Sequence, residues 1–576
     1  MSTPTETHPV EPPLAPASPG PPSGRDVALD YARRMFERQR VPLPPLGYRV
    51  DWADQPSRHK LYLDTVKLAL PAPFEPMPDV GVGAAAEAAG AEPVHTMPGL
   101  GVLASVLGSY GLVDRRTEPN WNEDSRRKLR SDGAVWARPT ASGGGMYPAE
   151  SYVVAGPDAP LPTGVYHYDT AHHGLDRLTV ADRGHDLAAA CGVAADLYLV
   201  ATLRFWKNAF KYNSFCYHVV TQDVGALLGS WRLVLGAHDV PAEPVLWFDD
   251  AAVAAALDVD GHAEAPFVVL PLGKRGPRGP GGPPDTRPPR PSGTAGPLRP
   301  RPAGVEHHRV WERSARPRTF DLVDQVHAAA LVGDEPRPAP TPSSAAPSVA
   351  APAEEDGDVV ELPPSHAAAG DLDLRTSLLR RRSSFGQLAP RPPLTLDDLG
   401  WVLSAVDQTA RSGTDVAPAP RDPWTRLWVL AGAVDGLEQR AYAYTGHRLV
   451  GGPRADVGAL QRHYALTNYN LGEVAAVLVV TGRLGPLVEA YGARGYRMLG
   501  IEVGQAAQST YLAATARGLG VGAVLGIDNL AVDELLGIGD TDERSMLFLL
   551  LGHDRVGRAG YDHALRPAVP DEGTPR

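Results

Sequence analysis

Residues 211–225 read KYNSFCYHVVTQDVG and residues 490–504 read AYGARGYRMLGIEVG. The step from Tyr212 to Gly225 equals the step from Tyr491 to Gly504, 13 residues in each case. Working outward, the first stretch follows GVYHYDTAHHGLDRL and DLYLVATLRFWKNAF and is closed by APFVVLPLG; the second follows RAYAYTGHRLVGG and AAVLVVTGRL and is closed by SMLFLLLGH. Equal spacing of matched elements is the mark of a duplication. Each copy has a hairpin-like pair, an apolar strand, an aromatic-rich stretch, a helix such as QAAQSTYLAATARGL and a terminal apolar strand, so the fold class is α+β. Two such copies in one chain are expected to pack as an internal pseudo-dimer, with any site at their junction drawing different residues from each.

A chain of 576 residues exceeds one comfortable core, and its 60 Gly and 58 Pro are concentrated outside the repeats. The expected division is a disordered tail and N-terminal helix over 1–46, a first domain over 47–273, a Pro/Gly-rich linker over 274–358 with one docked helix in RTFDLVDQVHAAALVG, a second domain over 359–560, and a C-terminal tail over 561–576. A formal charge of -12 argues against nucleic acid, whose binders need a Lys/Arg surplus. No segment has the continuous apolar length of a membrane span and the N-terminus lacks a signal pattern, so the expected location is cytoplasmic, without a membrane partner. Cys191 and Cys216 form no CxxC motif, and the His-His steps at 172–173 and 307–308 lack the carboxylate or cysteine company of a metal site, so no metal is expected.

The chemistry-bearing stretches are asymmetric between the copies. Residues 138–150, RPTASGGGMYPAE, lead into the strand SYVVAG, and three consecutive glycines mean either that something approaches the backbone too closely for side chains or that the chain makes a tight turn without a ligand. The matching stretch of the second copy, APAPRDPWTRLWVLAG, has neither SGGG nor Tyr-Pro. Lys211 precedes Tyr212, whereas Ala490 precedes Tyr491. Conversely, RRRSS at 380–384 has no counterpart in the first copy; its arginine fork and serine hydroxyls suit a phosphate, although three arginines also suit a solvated face. GLGVGAVLG at 518–526 follows a helix, so it reads as the turn into a strand and not as a dinucleotide fingerprint. Two partial sets add up to one complete site.

With RPTASGGGMYPAESYVV, KYNSFCYHVVTQDVG and RRRSSFGQL together, the sequence resembles the nitroreductase-like flavoproteins, specifically the SagB-type or azoline (thiazole/oxazole) oxidase branch, over about 130–273 and 375–553. The resemblance implies FMN held between two lobes. Carried over by match, Arg381 and Ser383 take the phosphate element, and the loop of Arg138, Ala141, Ser142, Gly143 and Gly144 takes the ring-facing element, with Gly520 and Gly522 from the second copy. Phe385 stands where the phosphate motif has a third basic residue. The glycines would then make room for a flavin edge or for the backbone gripping it. Lys211 and Tyr212 match a catalytic Lys-Tyr pair, Lys211 as base or as stabilising cation, and oxygen would reoxidise the flavin. The implied activity is oxidation of peptide thiazolines or oxazolines, on a modified precursor peptide supplied by a cyclodehydratase complex. Two other readings are a flavin oxidoreductase on another small or amino-acid-derived substrate and a non-catalytic peptide-binding scaffold.

Overall fold

Runs of β-branched and aromatic residues form the strands of two antiparallel sheets, one in each copy. The computed structural model describes residues 22–94, 96–117, 134–274, 308–339, 359–364, 370–419, 421–466, 468–555 and 561–565. In the first sheet, β1 (Val66–Ala69), β2 (Ala149–Ala155), β3 (Gly164–Asp169), β4 (Gly174–Thr179), β5 (Ala195–Arg204) and β6 (Glu264–Lys274) lie in the order β1, β4, β3, β2, β5, β6. The second contains β7 (Val359–Glu361), β8 (Leu388–Ala389), β9 (Thr425–Ala431), β10 (Arg440–Thr445), β11 (Arg448–Arg454), β12 (Ala476–Arg483), β13 (Leu519–Val524) and β14 (Glu543–Asp554). Its order is β7, β11, β10, β9, β12, β14, β8, with β13 also bonded to β14. Leaving β8 and β13 aside, the two orders are the same.

The repeat extends into the helices. Besides α1 (Gly24–Glu37), the helices that position the site are α2 (Phe205–Tyr212), α3 (Cys216–Ala237), α4 (Leu396–Ala410), α5 (Leu484–Tyr491) and α6 (Arg494–Ala516). Strand β5 ends at Arg204 and runs directly into α2; β12 ends at Arg483 and runs directly into α5. Each short helix is then broken by a residue of positive φ, Asn213 at 43° and Gly492 at 58°, before a long helix begins. Long helices α3 and α6 are buried along nearly their whole length and cross where Gly225 meets Gly504. Side chains are excluded there by backbone: a Cβ on Gly225 would stand 2.0 Å from the Ile501 carbonyl oxygen, and one on Gly504 would stand 2.0 Å from that of Gln222. The glycines ending the two matched 13-residue steps are thus the point of closest approach between the copies. One continuous apolar core surrounds the crossing, and separate clusters cover the outer face of each sheet.

Charge also ties the copies together. Asp250, in the helix Asp250–Leu257, is bonded to Arg494 and, at 3.2 Å, to Arg497 of α6, all three buried. Removing one partner of a buried pair leaves uncompensated charge, which costs far more than the intact pair contributes. Asp250→Ala is expected to lower stability by about 3–5 kcal/mol, with Asp250→Asn losing less; urea unfolding followed by circular dichroism measures both.

Within the interval expected as linker, residues 308–339 carry defined elements. Val310–Trp311 pairs with Leu61–Tyr62, and the helix Asp321–Ala329 buries Val323 and Val326 against α1. Apolar spacing inside a proline-rich surround was enough to dock them; 275–307 and 340–358 lie outside the described residues, as do 1–21 of the tail. In the C-terminal segment, Asp562–Ala564 pairs with Asp114–Thr117 of the first copy, while 566–576 lies outside the described residues.

Candidate functional site

The turn before β2 brings the predicted residues together. Gly144 and Gly145 have φ of 61° and 67°, a backbone that glycine adopts without strain. A Cβ on Gly143 would lie 2.3 Å from Val219, and one on Gly144 would lie 2.2 Å from the Tyr212 hydroxyl and 2.5 Å from Lys211 Nζ. The Cα positions of 143 and 144 are thus faced by the protein's own α2 and α3 side chains, while a Cβ on Gly145 would meet nothing within 4 Å among the described residues. Lys211 Nζ donates to the Gly144 carbonyl at 3.3 Å.

Two residues outside the motif hold the turn. Asp223 of α3 accepts from the Gly143 N–H at 2.7 Å and from the Ser142 hydroxyl at 3.0 Å, while Ser142 Oγ accepts from the Tyr147 N–H at 2.9 Å. From the other copy, Gln508 of α6 accepts from the Ala141 N–H at 3.0 Å and donates to the Pro139 carbonyl at 3.3 Å. Burial outweighs the two hydrogen bonds and raises the Asp223 carboxyl to about 7. Burial lowers the Lys211 ammonium below the ordinary lysine range and raises the Tyr212 phenol far above its own.

The second group lies beside this turn. Arg381 is buried, donates through Nη2 to the Arg138 carbonyl at 3.0 Å and lies over the Tyr511 ring, while its Nε has no partner among the described residues. Ser383 Oγ is 2.9 Å from the Tyr511 hydroxyl, which accepts from the Ala523 N–H of β13 at 2.9 Å. Tyr511 and Gln508 are one turn apart on α6, so this helix joins the Arg381 group to the Ser142 turn. Arg138 contributes its carbonyl only. Its guanidinium turns into the first copy, between the rings of Tyr110 and Tyr147 at 4.9 and 4.4 Å. Gly520 and Gly522 lie in the same cluster, and the protein's own side chains face their Cα atoms: a Cβ would meet Asp554 and Ser384 at the first and the Tyr469 hydroxyl at the second. For an anionic cofactor such as FMN, the donor set fits at Arg381 and Ser383, because a buried guanidinium N–H without a partner is a ready donor to a phosphate oxygen.

The matched place in the second copy is closed. Glu502, 11 residues after Tyr491 as Asp223 is after Tyr212, accepts from the Thr425 N–H and hydroxyl, each at 2.8 Å, and pairs with Arg421 at 2.5 Å. Arg421 lies 4.7 Å over Trp424, Trp424 packs against Tyr491, and the Tyr491 hydroxyl donates to the Val416 carbonyl at 3.0 Å. Sequence reading used Asp223 only as part of the Asp223-x-Gly225 spacing after Lys211-Tyr212 and missed Glu502, Gln508 and Tyr511; the signal for these was polar side chains recurring on an otherwise apolar helix.

A cavity of about 1420 Å³ on the outer side of the first sheet, lined among others by Lys60, Lys207, Trp247 and Glu264, contains none of the predicted residues. Its floor charges are matched within the protein, Lys60 with Glu264 at 2.7 Å and Lys207 with Glu150 at 3.3 Å. Among the described residues no helix is long and apolar enough to cross a membrane, and no group of three or more His, Cys, Asp or Glu is placed to hold a metal ion.

Two sheets in repeated order, joined by crossed buried helices, define a nitroreductase-like α+β fold. Residues 379–553 match the nitroreductase family. The structure is similar to a nitroreductase-type protein of Anabaena variabilis, with a TM-score of 0.66 and 22% identity, covering 92% of this chain and 99% of that one. In sequence, the chain is 29% identical over 172 residues to a nitroreductase-type protein of Methanocaldococcus jannaschii, spanning 29% of this chain and 86% of the relative. It is also 34% identical over 118 residues to the trifolitoxin-processing protein TfxB of Rhizobium leguminosarum bv. trifolii, spanning 19% of this chain and 30% of that protein.

Proposed function

We propose that the protein is an FMN-dependent oxidoreductase that converts thiazoline or oxazoline rings of a modified peptide into thiazoles or oxazoles, as one component of a cytoplasmic biosynthetic complex with a cyclodehydratase. Its two copies act as an internal pseudo-dimer with one productive site. The observation that carries this reading is the asymmetry: Lys211 and Tyr212 converge on an exposed glycine turn in one copy, while the other has Ala490 and a place filled by Arg421 and Trp424. Likeness to a protein named for processing trifolitoxin supports a processed peptide as substrate.

Arg381 and Ser383 would hold the FMN phosphate, and bound FMN would supply the hydride acceptor. The substrate ring loses one proton and one hydride, leaving a new ring double bond. Lys211, whose neutral amine is favoured by burial, would take the proton from the ring carbon next to the carbonyl, and the neighbouring ring carbon would give up the hydride that bound FMN is there to accept. Tyr212, held protonated by burial, donates a hydrogen bond that orients the ring.

Flavin released on denaturation tests the reading. About one FMN per chain is expected from the asymmetry argued here, with binding lost in Arg381→Ala because the guanidinium is the phosphate donor. Two FMN per chain would overturn the single-site reading, and none after reconstitution would overturn the flavoprotein reading.

A further inference from the structure

We infer that Asp223 is a positioning residue, whose carboxylate fixes the Ser142–Gly145 turn and thereby the place of Gly144 against Lys211 and Tyr212. The inference rests on the reading of Lys211 as the reacting group. Both carboxylate oxygens are committed to the turn, and Ser142 closes it by accepting from Tyr147. Asp223 is itself immobilised: it lies 4% exposed on α3, two residues before the glycine crossing that locks α3 to α6. In the other copy the carboxylate at the matched helix position, Glu502, accepts instead from Thr425, the first residue of β9.

The two carboxylates differ in their company. Glu502 has Arg421, whereas among the described residues the titratable groups that feel the charge of Asp223 are Tyr212 and Cys216 at the α2–α3 junction and Tyr110, none of them a cation. Ion pairing makes a carboxylate permanent; without it, Asp223 can change charge near neutrality while remaining in place. A protonated carboxyl presents one acceptor fewer to the turn, so the turn should hold Gly144 well only when Asp223 is ionised.

Hydrogen exchange of residues 142–147, read by mass spectrometry on protein without flavin or peptide, tests this directly. Asp223→Ala is expected to speed exchange there by about tenfold or more, with Asp223→Asn intermediate. In turnover of an azoline peptide, the Asn variant should lose up to about 100-fold in kcat, with little change in KM. A thermal readout has a fixed sign. Folded Asp223 keeps its proton to about pH 7, whereas the unfolded chain releases it near pH 4. Its contribution to folding is therefore full below about pH 4 and is lost as pH rises through 7. Wild-type Tm relative to that of Asp223→Asn should fall between pH 5 and 8. Unchanged exchange in both variants, or a wild-type Tm that does not fall with pH relative to the Asn variant, would overturn the inference. Altered exchange in a protein that oxidises no azoline would sink the proposed function and leave the positioning role standing. If Asp223→Ala does not fold, the isosteric Asn variant carries the test.

Discussion

Lys211→Ala should lower turnover of an azoline peptide by about 10²–10⁴-fold, the usual contribution of a positioned general base, while leaving flavin content and thermal stability near wild type. Stability should hold because, among the described residues, Lys211 makes no ion pair and one hydrogen bond, a 3.3 Å contact to the Gly144 carbonyl at a partly exposed place in the last turn of α2. Lys211→Arg then separates the two roles. Arginine stays charged at any relevant pH and cannot accept the ring proton, but it still offers a cation to a deprotonated intermediate. If lysine is the base, the Arg variant should be as inactive as the Ala variant. Recovery of about a tenth or more of wild-type kcat would make Lys211 an electrostatic partner instead. A wild-type rate in Lys211→Ala would remove this residue from the chemistry altogether.

The largest loss of stability from a single added side chain is expected at the helix crossing. Gly504→Val should destabilise by about 3 kcal/mol or more, at the upper end of overpacking costs. The three atoms nearest an added Cβ are all backbone: the Gln222 oxygen at 2.0 Å, the Gln222 carbonyl carbon at 2.7 Å and the Ala226 nitrogen at 2.9 Å. Rotamer changes cannot relieve such a clash, so α3 and α6 would have to separate, exposing the apolar core between the copies. Gly225→Val should behave alike, since its neighbour is the Ile501 carbonyl. Gly333→Ala, with nothing within 4 Å, is the matched control and should change stability by less than about 0.5 kcal/mol. Urea midpoints decide the comparison. A Gly504→Val protein as stable as the control would mean that the two helices do not cross at this point.

What the sequence by itself determined is the repeat. The equal steps from Tyr212 to Gly225 and from Tyr491 to Gly504, together with strands and helices whose periodicity is local, were enough to place two α+β copies and to show that Lys211, the SGGG run and the RRRSS run each occur in only one of them. Such features are legible because hydrophobic period, glycine runs and residue spacing are properties of neighbours in the chain. What only the tertiary structure decided is which groups meet. SGGG signalled a close approach, but that the approaching atoms are those of Tyr212, Lys211 and Val219 depends on how α2 and α3 return beneath the turn. Arg138 reads like a ligand for an anion, yet its guanidinium is taken by two tyrosine rings and its carbonyl alone reaches Arg381. Asp223 and Glu502 occupy one repeat position, the first holding the Ser142–Gly145 turn and the second the first residue of β9, and an arginine beside only one of them separates a charge that can titrate from one that is paired. These outcomes rest on contacts between residues tens to hundreds of positions apart, where packing and burial, not local pattern, set the energy.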